Sequence, residues 1–181
     1  GSIHFVGRFD DTWWEIDNTL EVFKVGLEKI FKGDVRAAIA EYYNLTRDMM
    51  RKSPPDILGH LDKIKINATH FSFEESDPWY VSTIDTTLKS VMGTNTIIEV
   101  NTRGIYKKKS QTTYPSPWIL ERIHHYNIPI TISSDAHHPG DLTREFGATW
   151  SLINEIRFKS VSVLKSGMWK KVPLNEYGNV R

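Results

Sequence analysis

The sequence of 181 residues contains no cysteine. That excludes disulfide frameworks, thiolate zinc sites and cysteine nucleophiles together, so any bound metal must be held by His, Asp and Glu. The absence is compatible with the cytoplasm, the expected location. An excess of one charge sign is also lacking: 23 Lys and Arg against 22 Asp and Glu leave a formal net charge of +1. Such a balance gives no electrostatic footprint for nucleic acid or for an anionic membrane surface, and neither is expected as a partner. No apolar run approaches the roughly 18 residues of a transmembrane helix, and no signal-peptide pattern opens the chain. G-x-x-x-x-G-K-[ST], G-x-G-x-x-G and G-x-S-x-G are all missing, which leaves P-loop, Rossmann and nucleophile-elbow readings unsupported. The chain does not start with Met but with Gly1-Ser2, a pattern that cleaved tags leave.

What is present suits a globular protein. The chain is 39% hydrophobic and 25% charged, with 11 Gly and 8 Pro, and its length fits one domain with a sizeable core over residues 1–181. Leu20, Phe23, Leu27, Ile30 and Phe31 recur at helical spacing over about 18–32, with Gly33 as a stop. Asp34 can cap a second helix that carries Val35, Ile39, Tyr42, Tyr43, Met49 and Met50 on one face and ends at Pro54-Pro55. Ile57-Leu58-Gly59 reads as a short buried strand, residues 63–77 as a loop, and Val81, Ile84, Leu88 and Val91 as a helix closed by Gly93. Ile97-Ile98-Glu99-Val100 is a compact strand, and Ser116-Pro117 opens a helix that runs to Asn127. Ile128, Ile130 and Ile132 alternate into another strand, a helix fits about 143–156, and two terminal strands meet at Ser166-Gly167. Helix and strand alternate along the chain, which predicts an α/β fold with a largely parallel sheet.

Three successive strand ends carry polar or ionisable groups: His60, then Asn101 and Arg103, then Asp135 and His137. In parallel barrels functional residues gather where strands end. Asp135-Ala136-His137 is the sharpest of these. Residues two apart on a strand point to one side, and a carboxylate with an imidazole suits Zn, Mn or Fe. His60, read by itself, is as well explained by a structural hydrogen bond, and His4 by proximity to the terminus. Arg103 can grip phosphate through two parallel hydrogen bonds, or form a surface ion pair. Lys107-Lys108-Lys109 reads as a solvated loop, His124-His125 as cations at a helix C-terminus, and Trp13-Trp14 as core or as the wall of a pocket for a flat substrate.

Taken together, residues 1–7 (GSIHFVG), 55–65 (PDILGHLDKIK), 97–108 (IIEVNTRGIYKK), 114–123 (YPSPWILERI) and 127–142 (NIPITISSDAHHPGDL) resemble the PHP (polymerase and histidinol phosphatase) family in its histidinol-phosphatase branch. Residues 158–174 look like that family's closing strands. The resemblance implies a distorted (β/α)7 TIM-like barrel with two or three divalent metal ions at its mouth. It places metal ligands on His4, His60, Asp135 and His137, and a phosphate-binding arginine on Arg103. It also makes Gly1-Ser2 native sequence. The family pattern begins with an H-x-H pair, a further His and a bridging Glu upstream of G-S-[IV]-H. None of these is present, so the chain corresponds to the C-terminal two-thirds of the fold. Weak metal binding, and association through an unpaired barrel edge (with another polypeptide or as a homo-oligomer), are expected consequences.

The implied activity is metal-dependent phosphomonoester hydrolysis, with L-histidinol phosphate converted to L-histidinol and phosphate in histidine biosynthesis. Metals would lower the pKa of a bound water, and Arg103 would stabilise charge on the non-bridging oxygens. Asp135, His137 and Arg103 are the candidate catalytic residues. Arg103, Ser134, His138, Asp17 and Trp14 are the candidate substrate contacts, with His137 or His138 available to protonate the leaving group. Two alternatives stand beside this: a PHP-type phosphoesterase for another phosphate ester, and a non-catalytic remnant of the fold.

Overall fold

A computed structural model describes residues 1–177. The chain packs as two compact units, residues 1–55 with 62–93 and residues 56–61 with 94–181, of which 94–177 are described.

The first unit opens with an antiparallel ribbon of β1 (Phe5–Phe9) and β2 (Thr12–Glu15), paired through Arg8↔Trp13 and Phe9↔Thr12, with a register shift towards Phe5↔Glu15. The sequence reading did not anticipate these strands. Their turn is Asp10-Asp11, both at positive φ (44° and 61°), the backbone of a two-residue hairpin loop that Asp tolerates better than most residues. Adjacent residues on a strand face opposite ways, which separates the two tryptophans: Trp13 is 60% exposed and Trp14 is fully buried.

Helix α1 (Leu20–Phe31) is capped by the Thr19 hydroxyl, which accepts from the Val22 amide, and it buries Phe23, Gly26 and Leu27. Trp14 lies on that face, with ring centroids 5.0 Å from Phe23 and 5.7 Å from Phe31. Helix α2 (Val35–Lys52) starts at Asp34, whose carboxylate accepts from the Ala37 amide, and carries Arg51 and Lys52 in its last turn, where cations meet the negative end of the helix dipole. Residues 63–77, expected to be a loop, contain one short helix, α3 (Lys65–Ala68). The buried Lys65–Asp62 ion pair at 2.8 Å fixes its first turn. Helix α4 (Pro78–Val91) has Pro at its first position, and its Tyr80 hydroxyl shares a buried 2.9 Å hydrogen bond with Tyr43 of α2. Burial pushes both phenol pKa values well above their usual value, so both stay neutral.

The second unit is built on a parallel sheet in the order β3 (Ile57–Leu58), β4 (Ile97–Asn101), β5 (Ile130–Ser133). Four of the five β4 residues are buried, as expected of a central parallel strand covered on both faces. The connection from β4 to β5 carries α5 (Arg103–Tyr106) and α6 (Pro117–His125). After β5 come a 3-10 turn over Pro139–Asp141, α7 (Phe146–Glu155), an antiparallel hairpin of β6 (Ser160–Lys165) and β7 (Met168–Pro173), and α8 (Leu174–Tyr177). Ser166 and Gly167 form the β6–β7 turn, both at positive φ, as the sequence indicates. The α/β alternation is therefore present. The described strands form one small parallel sheet and two ribbons, not a closed barrel. No helix among the described residues is long and apolar enough to cross a membrane.

Candidate functional site

In the first unit, His4, Asp17 and Lys63 meet. His4 immediately precedes β1, and its carbonyl accepts from the Ile16 amide at 2.9 Å, continuing the ribbon ladder. This sets His4 beside Asp17, two residues past the end of β2. The His4 Nδ1 lies 3.1 Å and 3.3 Å from the two Asp17 carboxylate oxygens, and Lys63 Nζ lies 2.6 Å from Oδ2. Burial alone would raise the Asp17 pKa, but hydrogen bonds and charge from His4 and Lys63 outweigh it and hold the carboxyl well below the usual carboxylate range. A carboxylate on Nδ1 favours the tautomer with the proton on that nitrogen and Nε2 as the acceptor, the arrangement found behind metal-ligating histidines.

In the second unit the three strand ends are wired together. The His60 amide, at φ 28°, donates to Glu99 Oε2 at 2.8 Å, and the Asn101 side-chain amide donates to the same oxygen at 3.0 Å. The Arg103 amide then donates to Asn101 Oδ1 at 2.9 Å. From the first turn of α5, Arg103 Nη1 donates to the Asp135 carbonyl at 2.5 Å and to His137 Nδ1 at 2.7 Å, and its Nε lies 3.7 Å from Asp135 Oδ2. Asp135 stands at φ 49°, and the Tyr106 hydroxyl holds its loop by donating to the Ser134 carbonyl at 2.8 Å. His137 Nδ1 also lies 2.9 Å from the Asp135 carbonyl, so this one nitrogen faces both a donor and an acceptor.

Of the candidate residues, His60, Arg103, Asp135 and His137 thus belong to one hydrogen-bonded edge, while His4 and Asp17 belong to the first unit. The Ser134 hydroxyl donates to the Leu142 carbonyl at 2.9 Å, so it ties the loop after β5. His138 Nδ1 accepts from the Gly140 amide and caps the 3-10 turn. Trp14, read as a substrate contact, is instead a core residue: it has no exposed surface and packs directly on Gly26. The sequence reading passed over Glu99, Lys63 and Tyr106. Glu99 was detectable, because Glu99, Asn101 and Arg103 recur at intervals of two in one strand-end run. Lys63 and Tyr106 meet their partners only through tertiary packing.

The donors match a divalent cation in kind, being imidazole nitrogens and carboxylate oxygens, with His4 already oriented by Asp17. Among the described residues, no three His, Asp or Glu side chains converge where they could hold one.

No protein-family model matches the sequence. Over 162 residues the chain is 27% identical to a protein named probable histidinol-phosphatase from Deinococcus radiodurans, covering 90% of this chain and 55% of that one. Over 171 residues it is 23% identical to a protein of the same name from Schizosaccharomyces pombe, covering 92% and 53%. A crystal structure titled as a histidinol phosphatase, hisK of Listeria monocytogenes, superposes with a TM-score of 0.72 at 22% identity, over 81% of this chain and 56% of that one. At that identity the last likeness is one of fold. The chain is therefore similar, along nearly all of its length, to proteins named histidinol-phosphatases, and it spans about half the length of the curated relatives it matches.

Proposed function

We propose that the chain carries the phosphate-binding side of a phosphomonoester hydrolase, with histidinol phosphate as substrate. The observation that supports this best is Arg103, held between the Asp135 carbonyl and His137 with part of its guanidinium still exposed. A guanidinium fixed by neighbouring acceptors meets a phosphate already oriented, and stabilises charge on the non-bridging oxygens without reorganising. The names of the relatives supply the substrate.

The reading includes the TIM-like (β/α)7 barrel implied by the motifs, of which the β3–β4–β5 sheet would be a part. It also includes Zn, Mn or Fe, for which the motifs imply His60, Asp135 and His137 as donors in the second unit. Such an ion would supply Lewis-acid polarisation of the phosphoryl group.

The test is turnover of a panel of phosphate monoesters by the chain, with and without added Zn, Mn or Fe, alongside Asp135→Ala. A preference for histidinol phosphate that is lost in the variant is expected. Equal rates across the panel would overturn the substrate. No turnover of any ester under any of these conditions would leave the non-catalytic reading in its place.

A further inference from the structure

β4 is the central strand of its sheet, and Ile97, Ile98, Val100 and Asn101 are buried in it, yet Glu99 stands at its middle position. A carboxylate suits such a place poorly, because strands covered on both faces favour β-branched and aromatic side chains. Where a local preference is broken in this way, a functional constraint is the usual reason.

The geometry around Glu99 shows what that constraint is. The pairing of β3 with β4 ends at Leu58↔Ile98, and His60 then leaves the strand at φ 28°, a backbone that a residue with a Cβ keeps only when its neighbours enforce it. Glu99 Oε2 accepts from the His60 amide at 2.8 Å and from Asn101 Nδ2 at 3.0 Å. The second bond orients a buried side-chain amide, so that Asn101 Oδ1 faces the Arg103 amide at 2.9 Å. Thr102 gives α5 no side-chain cap, and the Asn101 carbonyl satisfies its first amide instead. Arg103 is the first residue of that helix, so its direction towards Asp135 and His137 follows from where the helix begins.

We propose that Glu99 is a positioning residue: through Asn101 it sets the start of α5 and with it the Arg103 guanidinium, while its bond to His60 fixes the neighbouring strand end. It acts as a hydrogen-bond acceptor and not as a reacting group. The inference rests on the reading of Arg103 as the side chain that holds phosphate. The experiment compares the full chain with Glu99→Gln, which keeps an acceptor oxygen, and Glu99→Val, which suits the strand and removes it. NMR without substrate follows the Arg103 Nε–H resonance and the exchange of the His60 amide, and steady-state kinetics follow kcat/KM on histidinol phosphate. In Glu99→Val the Arg103 signal should move towards that of a free guanidinium, the His60 amide should exchange about tenfold faster, and kcat/KM should fall about tenfold. Glu99→Gln should restore both signals and most of the rate. An Arg103 signal that stays in place in a folded Glu99→Val variant would overturn the proposal. So would a Glu99→Gln variant that keeps both signals but is as slow as Glu99→Val, since the negative charge would then be what matters. If Glu99→Val does not fold, Asn101→Ser removes the relay alone and is judged by the same Arg103 signal. Absence of turnover by the unaltered chain would defeat the phosphatase reading, and the Arg103 signal would still decide the role of Glu99.

Discussion

Asp17 accepts from the His4 imidazole and the Lys63 ammonium while lying largely out of solvent. Its pKa is lowered on folding, so its contribution to stability is full above the unfolded carboxyl value of about 3.9 and is lost as pH falls through the lower folded value. Asp17→Asn is expected to destabilise the protein at pH 7 by about 1–3 kcal/mol, with the gap to the parent closing towards pH 2; urea unfolding at several pH values measures it. Arg103 makes a second residue-scale case. Its two nitrogens Nη1 and Nε reach three atoms of the Asp135–His137 segment, a fork that an ammonium cannot reproduce. Arg103→Lys should lower kcat/KM on the preferred ester about 10²-fold, while circular dichroism is unchanged. The strand-end positions of Arg103, Asp135 and His137 were legible in the sequence, because apolar alternation stops just before them. Their mutual contacts were not, since they depend on the turn of α5 and on the positive φ of Asp135.

At the scale of elements, the α1 interface turns on one missing side chain. A Cβ on Gly26 would lie 2.0 Å from the Trp14 ring, so Gly26 is what lets α1 approach β2. Gly26→Ala is expected to cost about 2–4 kcal/mol, because a fully buried indole and a helix must part. Gly147, in the first turn of α7, has nothing within 4 Å of its would-be Cβ. Gly147→Ala should be neutral or stabilise by up to about 1 kcal/mol, so the two thermal melts should move in different senses. The helices α1, α2 and α4 were readable because their apolar residues recur at three and four. The ribbon β1–β2 was not: it is irregular between Phe5 and Arg8, turns on Asp-Asp, and exposes Phe5 and Trp13, so no clean period of two survives.

At the scale of the whole molecule, the division into units does not follow the linear order of the chain. Residues 56–61, which include β3, interrupt the first unit and belong to the sheet of the second. A fragment of residues 94–181 would therefore lose β3 and leave one side of β4 unpaired. Such a fragment is expected to melt without a cooperative transition or to aggregate, measured by circular dichroism and sedimentation against the full chain. Alternating elements were visible in the sequence, but this interleaving was not, because Ile57-Leu58 is too short to show its partner.

The interleaving also orders events during synthesis. Every residue of the first unit precedes β4 in the chain, so all of them leave the ribosome before β4 does. Pro55 and Asp62 can then be anchored in a finished core, with β3 stretched between them as a short tether. When Ile97–Asn101 follows, it meets a partner strand whose ends are already fixed, so little loop-closure entropy remains to be lost as the parallel sheet nucleates.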